Sequence, residues 1–116
     1  MIKVSKLYKM SVASVYVHYV NKIERKNRTK AELDKVICWL TGLTPVEIKK
    51  HLKAETTFED FFKVVKLNRK SKLITGTICG VRIEEIEDPL MKKIRYLDKL
   101  VDELAKGRPM EKILRE

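Results

Sequence analysis

Thr29-Lys30-Ala31-Glu32-Leu33-Asp34-Lys35-Val36-Ile37-Cys38-Trp39-Leu40-Thr41-Gly42-Leu43-Thr44-Pro45-Val46-Glu47 is the stretch that decides the fold class. Thr29 and Glu32 have the spacing of a capping box. The threonine oxygen accepts the backbone N–H three residues on, and the glutamate reaches back to the threonine N–H. Leu33, Val36, Ile37 and Leu40 then fall on one stripe at helical period. Gly42 stands where a helix ends on a left-handed residue. Thr44-Pro45-Val46-Glu47 repeats the start signal at once, with proline at the first helical position, where its missing N–H costs nothing. Two helices joined by a glycine turn are expected, the second running to about Lys53.

Toward the N-terminus, Ser11 to Lys26 admits two readings. Val15-Tyr16-Val17-His18-Tyr19-Val20 is rich in strand formers. Val12, Tyr16, Tyr19 and Ile23 fit one helical face. The length of the run, with Ser11 at the N-cap position, decides for a helix. Asn27 is a suitable C-cap, and the basic tail Lys22–Arg28 suits the negative end of the helix dipole. Residues 1–9 are expected to form an extended arm.

Toward the C-terminus, Thr57 caps a short helix carrying Phe58, Phe61, Phe62 and Val65, and residues 66–72 form a basic loop. Leu73-Ile74-Thr75-Gly76-Thr77-Ile78-Cys79-Gly80 is a strand by its glycines and β-branched threonines. Placing Gly80 on Gly42 argues otherwise: it sets Val81 on Leu43, Glu85 on Glu47 and Ile86 on Ile48, a weak repeat of a helix–glycine–helix unit. On that similarity a helix is favoured. Asp88-Pro89 opens the last long helix. Its Leu90, Ile94, Leu97, Val101 and Leu104 form the seam of a core helix or a short coiled coil. Asp98 and Asp102 are like charges one turn apart, so packing rather than ion pairing is expected to hold this helix. Gly107 stops it, and Pro109 opens a final turn bearing Met110, Ile113 and Leu114. The expected fold is all-α, a single-domain bundle of five or six helices over residues 1–116 with helix-turn-helix-like hairpins. The alternative is an α+β chain with a small hairpin near residues 73–83.

At 116 residues the chain is long enough for one core without staples. Cys38 and Cys79 each follow an isoleucine and read as buried free thiols of a reducing cytoplasm, not a disulfide framework. No apolar run approaches the length of a membrane span, and the N-terminus lacks the apolar core of a signal peptide. The net charge of +10 is unevenly placed. Residues 1–30 carry eight Lys/Arg against Glu24, and residues 61–82 carry six with no acid. Two basic blocks meeting on one face would attract a polyanion; dispersed, they merely keep a small protein soluble.

Long runs carry a family resemblance: Thr29-Lys-Ala-Glu-Leu-Asp34, Ile37-Cys-Trp-Leu-Thr-Gly42, Leu73 to Met91, Ile94 to Gly107 and Met110-Glu-Lys-Ile-Leu114. From about Tyr8 to the C-terminus the chain resembles the small bacterial proteins grouped as the domain of unknown function number 2200. The resemblance implies a stand-alone bacterial cytoplasmic protein and supplies no activity, cofactor or catalytic residue.

The leading reading is a non-enzymatic binding or regulatory module with a basic surface, and nucleic acid or an acidic protein is the partner that chemistry suggests. The candidate contacts are Lys22, Arg25, Lys26, Arg28, Lys30, Lys49, Lys50, Lys53, Arg69, Lys70 and Lys72. Three of them lie on the would-be recognition helix 45–53, after a turn with Cys38, Gly42 and Ile48 at helix-turn-helix spacing. His51 departs from that pattern, which wants an apolar residue there. Trp39 reads as packing, or as a partner anchor if exposed. Single-strand binding would want aromatics among the cations; Tyr8, Tyr16 and Tyr19 lie in the first block, but the latter two fall on the apolar helix face. The second reading is a protein-interaction module, or a homodimer through the 90–104 helix. A small enzyme is the weakest: His18 and His51 lack partners at metal spacing, no phosphate loop is present, and Glu84, Glu85, Glu87 and Asp88 sit where a helix N-terminus wants negative charge. No catalytic residue, metal, cofactor or membrane partner is expected.

Overall fold

Both capping boxes close as their spacing requires. Thr29 Oγ1 accepts the Glu32 N–H at 3.1 Å while Glu32 Oε1 accepts the Thr29 N–H at 2.9 Å. Thr44 and Glu47 do the same at 3.2 and 3.0 Å. The computed structural model describes residues 8–78 and 80–115. Six α-helices lie wholly within these described residues: α1 (Val12–Glu24), α2 (Lys30–Thr41), α3 (Pro45–Lys53), α4 (Phe58–Val64), α5 (Pro89–Ala105) and α6 (Met110–Ile113). Ser11, Thr57 and Asp88 cap α1, α4 and α5 with their side chains. Asn27 is the left-handed residue after α1, where the Arg28 N–H donates back to the Ile23 carbonyl at 3.0 Å. Of the arm expected over residues 1–9, residues 1–7 lie outside the described residues; Tyr8 and Lys9 are helical.

The favoured helix over 73–80 does not form, and the alternative hairpin does. A 3-10 turn (Arg69–Leu73) is followed by β1 (Thr77–Ile78) and β2 (Val81–Arg82), antiparallel, with Thr77 opposite Arg82 and Ile78 opposite Val81. A second 3-10 turn (Ile83–Glu85) follows. Gly76 sits at φ +103, far from helical backbone. Its N–H donates to Glu84 Oε1 at 2.8 Å, and its carbonyl accepts the Ile83 N–H at 2.9 Å. The β-branched threonines and the glycine therefore win over the internal similarity, whose second copy is a hairpin and a turn. Cys79 lies outside the described residues.

The 90–104 stripe is the axis of the core. Ile94, Leu97, Leu100, Val101 and Leu104 are buried, and α5 packs against α1, α2, α4, α6 and β1. This seam is covered by the chain itself. The α4 trio Phe58, Phe61 and Phe62 is buried in the same core. The like-charged Asp98 and Asp102 do not repel uncompensated, because Arg95 lies 2.8 Å from Asp98 and Lys106 lies 3.0 Å from Asp102. Ion pairs thus contribute to α5 alongside packing.

Three tyrosine hydroxyls donate to aspartates across the bundle. Tyr8 bonds Asp88 at 2.7 Å, Tyr16 bonds Asp34 at 2.6 Å, and Tyr19 bonds Asp98. Burial and the neighbouring Asp34 push the Tyr16 hydroxyl far above the usual tyrosine range, so it stays a donor.

Candidate functional site

The segment after α4 turns back across the C-terminal end of α2. Helix ends leave carbonyls without partners, and here the Asn68 N–H donates to the Leu40 carbonyl at 2.9 Å. Gly42 makes this approach possible: it is left-handed at φ +72, and a Cβ on it would lie 3.2 Å from the Lys66 carbonyl oxygen. Asn68 Oδ1 then accepts the Lys70 N–H at 2.8 Å and its carbonyl accepts the Ser71 N–H at 2.9 Å, starting the Arg69–Leu73 turn. Ser71 and Ile74 point into the protein and are buried. Arg69, Lys70 and Lys72 are left exposed on a turn fixed from both sides.

A second wall comes from the C-terminus. Ile113 and Leu114 are buried, which sets the position of Arg115. Its guanidinium grips Glu103 bidentately, both bonds at 2.7 Å, and donates to the Ile113 carbonyl at 2.7 Å. Glu103 is 5 % exposed and takes a further contact from Arg108 at 3.0 Å. Between these walls Trp39, Asn68, Arg69, Lys70, Lys72 and Arg115 line a groove of about 580 Å³. Trp39 is half-buried against the core from α2.

Two other hollows differ in charge. One of about 490 Å³ is lined by Tyr8, Phe62, Lys63, Leu90 and Lys93 but includes Glu59. One of about 430 Å³ beside α2 is lined by Cys38, Lys35 and Pro45 but includes Asp34. Of the three, only the Trp39 groove has no carboxylate among the described residues of its wall. Among the described residues no ion pair involves Arg69, Lys70 or Lys72. In the Asp34 hollow, burial and then the Asp34 charge push the Cys38 thiol up from its ordinary value, which keeps it protonated and a weak nucleophile at neutral pH.

The cations singled out in the sequence are distributed unequally. Arg69, Lys70 and Lys72 come together on the groove. Lys49, Lys50 and Lys53 are exposed on α3, which packs on α1 and α2 through the buried Ile48. The first block is partly engaged within the chain. Lys22 pairs with Asp102 at 3.4 Å, and Lys30 lies 5.7 Å above the Tyr16 ring. Arg28, with a side chain only 14 % exposed, holds Glu32 at 2.8 Å and donates to the Arg108 carbonyl, so it is a structural brace rather than a free contact. Arg25 and Lys26 are exposed. Trp39, expected as packing or as a partner anchor if exposed, and Arg115, which did not stand among the expected contacts, complete the groove. Nothing local in the sequence marks Arg115.

His51, out of pattern for a helix-turn-helix, is half-buried and packs as a flat ring. It stands edge-on to Phe61 with centroids 5.2 Å apart, and its Nδ1 lies 3.0 Å from Thr56 Oγ1. His18 is exposed on α1. Among the described residues no group of three His, Cys, Asp or Glu side chains is placed to hold a metal ion. The acidic run 84–88 does local work: Asp88 caps α5 and accepts from Tyr8, Glu84 holds the Gly76 N–H, and Arg82 lies near Glu84 and Glu85. Among the described residues no helix is long and apolar enough to cross a membrane.

Comparison with known proteins adds kinship without chemistry. No curated protein matches the chain. A solved structure, the crystal structure of uncharacterized protein SP1917, is 43% identical, with a TM-score of 0.91 over 98% of this chain and 94% of that one. The family model for uncharacterized proteins conserved in bacteria, DUF2200, matches residues 6–115, and the chain belongs to that family.

Proposed function

We propose that the protein is a non-enzymatic module that binds nucleic acid through its basic surface, with the Arg69–Lys72 corner as the principal contact. One observation carries the reading: among the described residues, three cations without ion-pair partners share a groove that no carboxylate lines. Unpaired cations on a fixed turn suit phosphate, because little ordering entropy is lost when the polyanion arrives.

The test is binding of fluorescent oligonucleotides at two salt concentrations. Three phosphate contacts on a single strand give a slope of log K on log salt of about −2. A fourfold rise in salt should then weaken binding about twentyfold. Arg69→Gln, Lys70→Gln and Lys72→Gln together should abolish most of that dependence. No detectable binding at low salt sinks the proposal.

A second reading keeps nucleic acid but moves the contact to α3. Lys49, Lys50 and Lys53 are exposed on the helix that follows the Gly42 turn, the position from which a recognition helix reads duplex DNA. Neutralising those three instead, and losing duplex binding while the groove variant keeps it, would favour this version.

A further inference from the structure

The groove holds something that phosphate alone does not call for, an indole. We propose that the Trp39 groove takes an unpaired base of a single-stranded nucleic acid, stacked on the Trp39 ring, with neighbouring phosphates on Arg69, Lys70 and Lys72. The inference rests on the nucleic-acid reading above and specifies which form of nucleic acid that site accepts.

Four observations converge. The first is juxtaposition: residue 39 and residues 69–72, far apart in the chain, line one groove because Asn68 docks on the Leu40 carbonyl. Stacking platforms beside backbone-tracking cations are the common design of single-strand binders, since every base offers a π-face and every nucleotide a charge. The second is rigidity. Trp39 is half-buried on a helix between buried Ile37 and Leu40, and the cationic turn is fixed by Asn68, Ser71 and Ile74. A preorganised ring and turn lose little entropy when a base arrives.

The third is selection among aromatics. Tyr8, Tyr16 and Tyr19 are tied by their hydroxyls to Asp88, Asp34 and Asp98, so the first block's aromatics belong to the bundle. Trp39 is the aromatic that stands with the cations that have no ion pair among the described residues. The fourth is shape. About 580 Å³ lies within the range of small-ligand sites. A paired base inside a duplex cannot stack on an indole without leaving its own stack. Arg115 is held by Glu103 and serves as a fixed wall.

Trp39 is the chain's sole tryptophan, so its emission reports on the groove without a label. The wild-type chain is titrated at low salt with oligo(dT) and oligo(U) of about twelve nucleotides. A blunt duplex of the same length and inorganic polyphosphate are titrated alongside. Both oligonucleotides should quench the emission at saturation, whichever sugar they carry, and polyphosphate should leave it largely unchanged. Trp39→Ala should weaken oligonucleotide binding, read by anisotropy, between about fivefold and 150-fold. Trp39→Phe should recover part of the loss, and it stands in if the alanine variant fails to fold. Tighter binding to duplex than to single strand overturns the inference, as does Trp39→Phe and Trp39→Ala binding equal to wild type. So does equal quenching by polyphosphate. In those cases the nucleic-acid reading survives with a different contact. If no nucleic acid binds at all, both fall together.

Discussion

Replacing Glu103 by glutamine should cost far more than its surface-like chemistry suggests. Glutamine keeps the size of the side chain, so packing is unchanged and only the charge and one acceptor are lost. In the native chain two 2.7 Å bonds from Arg115 and a 3.0 Å contact from Arg108 converge on a carboxylate that is 5 % exposed. After substitution one amide oxygen still accepts, but an NH₂ group faces a guanidinium donor. Arg108, 45 % exposed, can turn to water; Arg115, 14 % exposed, cannot. Charge-assisted bonds contribute about 1.5–3 kcal/mol each, and breaking a buried pair from one side costs about 3–5 kcal/mol. Allowing for the partial exposure of Arg108, the expected loss is about 3 kcal/mol. With an unfolding entropy of about 2.1 cal/mol/K per residue, a chain of 116 residues loses about 4 °C of Tm per kcal/mol, hence about 12 °C. Calorimetry on Glu103→Gln, Arg115→Met and the double variant closes the cycle. The double variant should cost little more than Glu103→Gln alone, giving a coupling of about 2 kcal/mol. A single-variant loss below about 2 °C, or additive effects, would refute the clamp.

Three further outcomes follow from local geometry. Glu55 ends α3 in the left-handed region at φ 53, with the Thr56 N–H returning to the His51 carbonyl at 3.1 Å, so Glu55→Gly should raise stability by about 0.5–1 kcal/mol. An unchanged or lower melting temperature would contradict that. Tyr16→Phe removes the 2.6 Å bond to half-buried Asp34 and should cost about 2 kcal/mol by urea unfolding; a midpoint equal to wild type counts against the tyrosine–aspartate ties as stabilising elements. Stability should fall on both sides of neutrality. Backbone and side-chain donors hold Glu32, Glu47, Glu84 and Asp88 below the usual carboxylate range, and at Asp102 burial is outweighed by Lys106 and Lys22 with the same net direction. The unfolded chain binds those protons first as pH drops, so this stability is complete above the unfolded carboxylate range and is lost as pH falls through the folded values. On the alkaline side, burial and then Asp88 push Tyr8 up to about 12, so its contribution is present below the ordinary tyrosine value and is lost as pH rises toward 12. Melting temperatures that stay flat from pH 6 down to about 3 would oppose the acid half.

Legibility in this sequence tracks the range of the chemistry. Helix starts at Thr29, Thr44, Thr57 and Asp88 are readable because a cap is made within three residues. The α5 stripe is readable because its period runs for four turns. Residues 73–80 are not, since so short an apolar run suits either period, and what decides is a tertiary fact: the Gly76 N–H finds Glu84. The groove is less legible still. Its walls come from residues 39, 68–72 and 115, joined by a main-chain bond to Leu40 and a bidentate pair to Glu103, neither of which has a local signature.

Counting charge along the chain ranks residues 1–30 as the stronger basic block, but part of that charge is answered within the fold. Charge attracts a polyanion only where it is not already answered. Arg28 is answered by Glu32 and Lys22 by Asp102, and the aspartates that accept from the tyrosines of α1 bring further negative charge against that helix. The block at 61–82 has no acid of its own, and the fold brings none to Arg69, Lys70 or Lys72 among the described residues. What the fold brings instead is an indole and an arginine held by a buried glutamate. A basic surface serving solubility alone needs neither a capped turn beneath its cations nor a tryptophan in the same groove. On the proposed reading, what separates a receptive face from a solvated one is preorganisation, and that criterion singles out the Arg69–Lys72 turn.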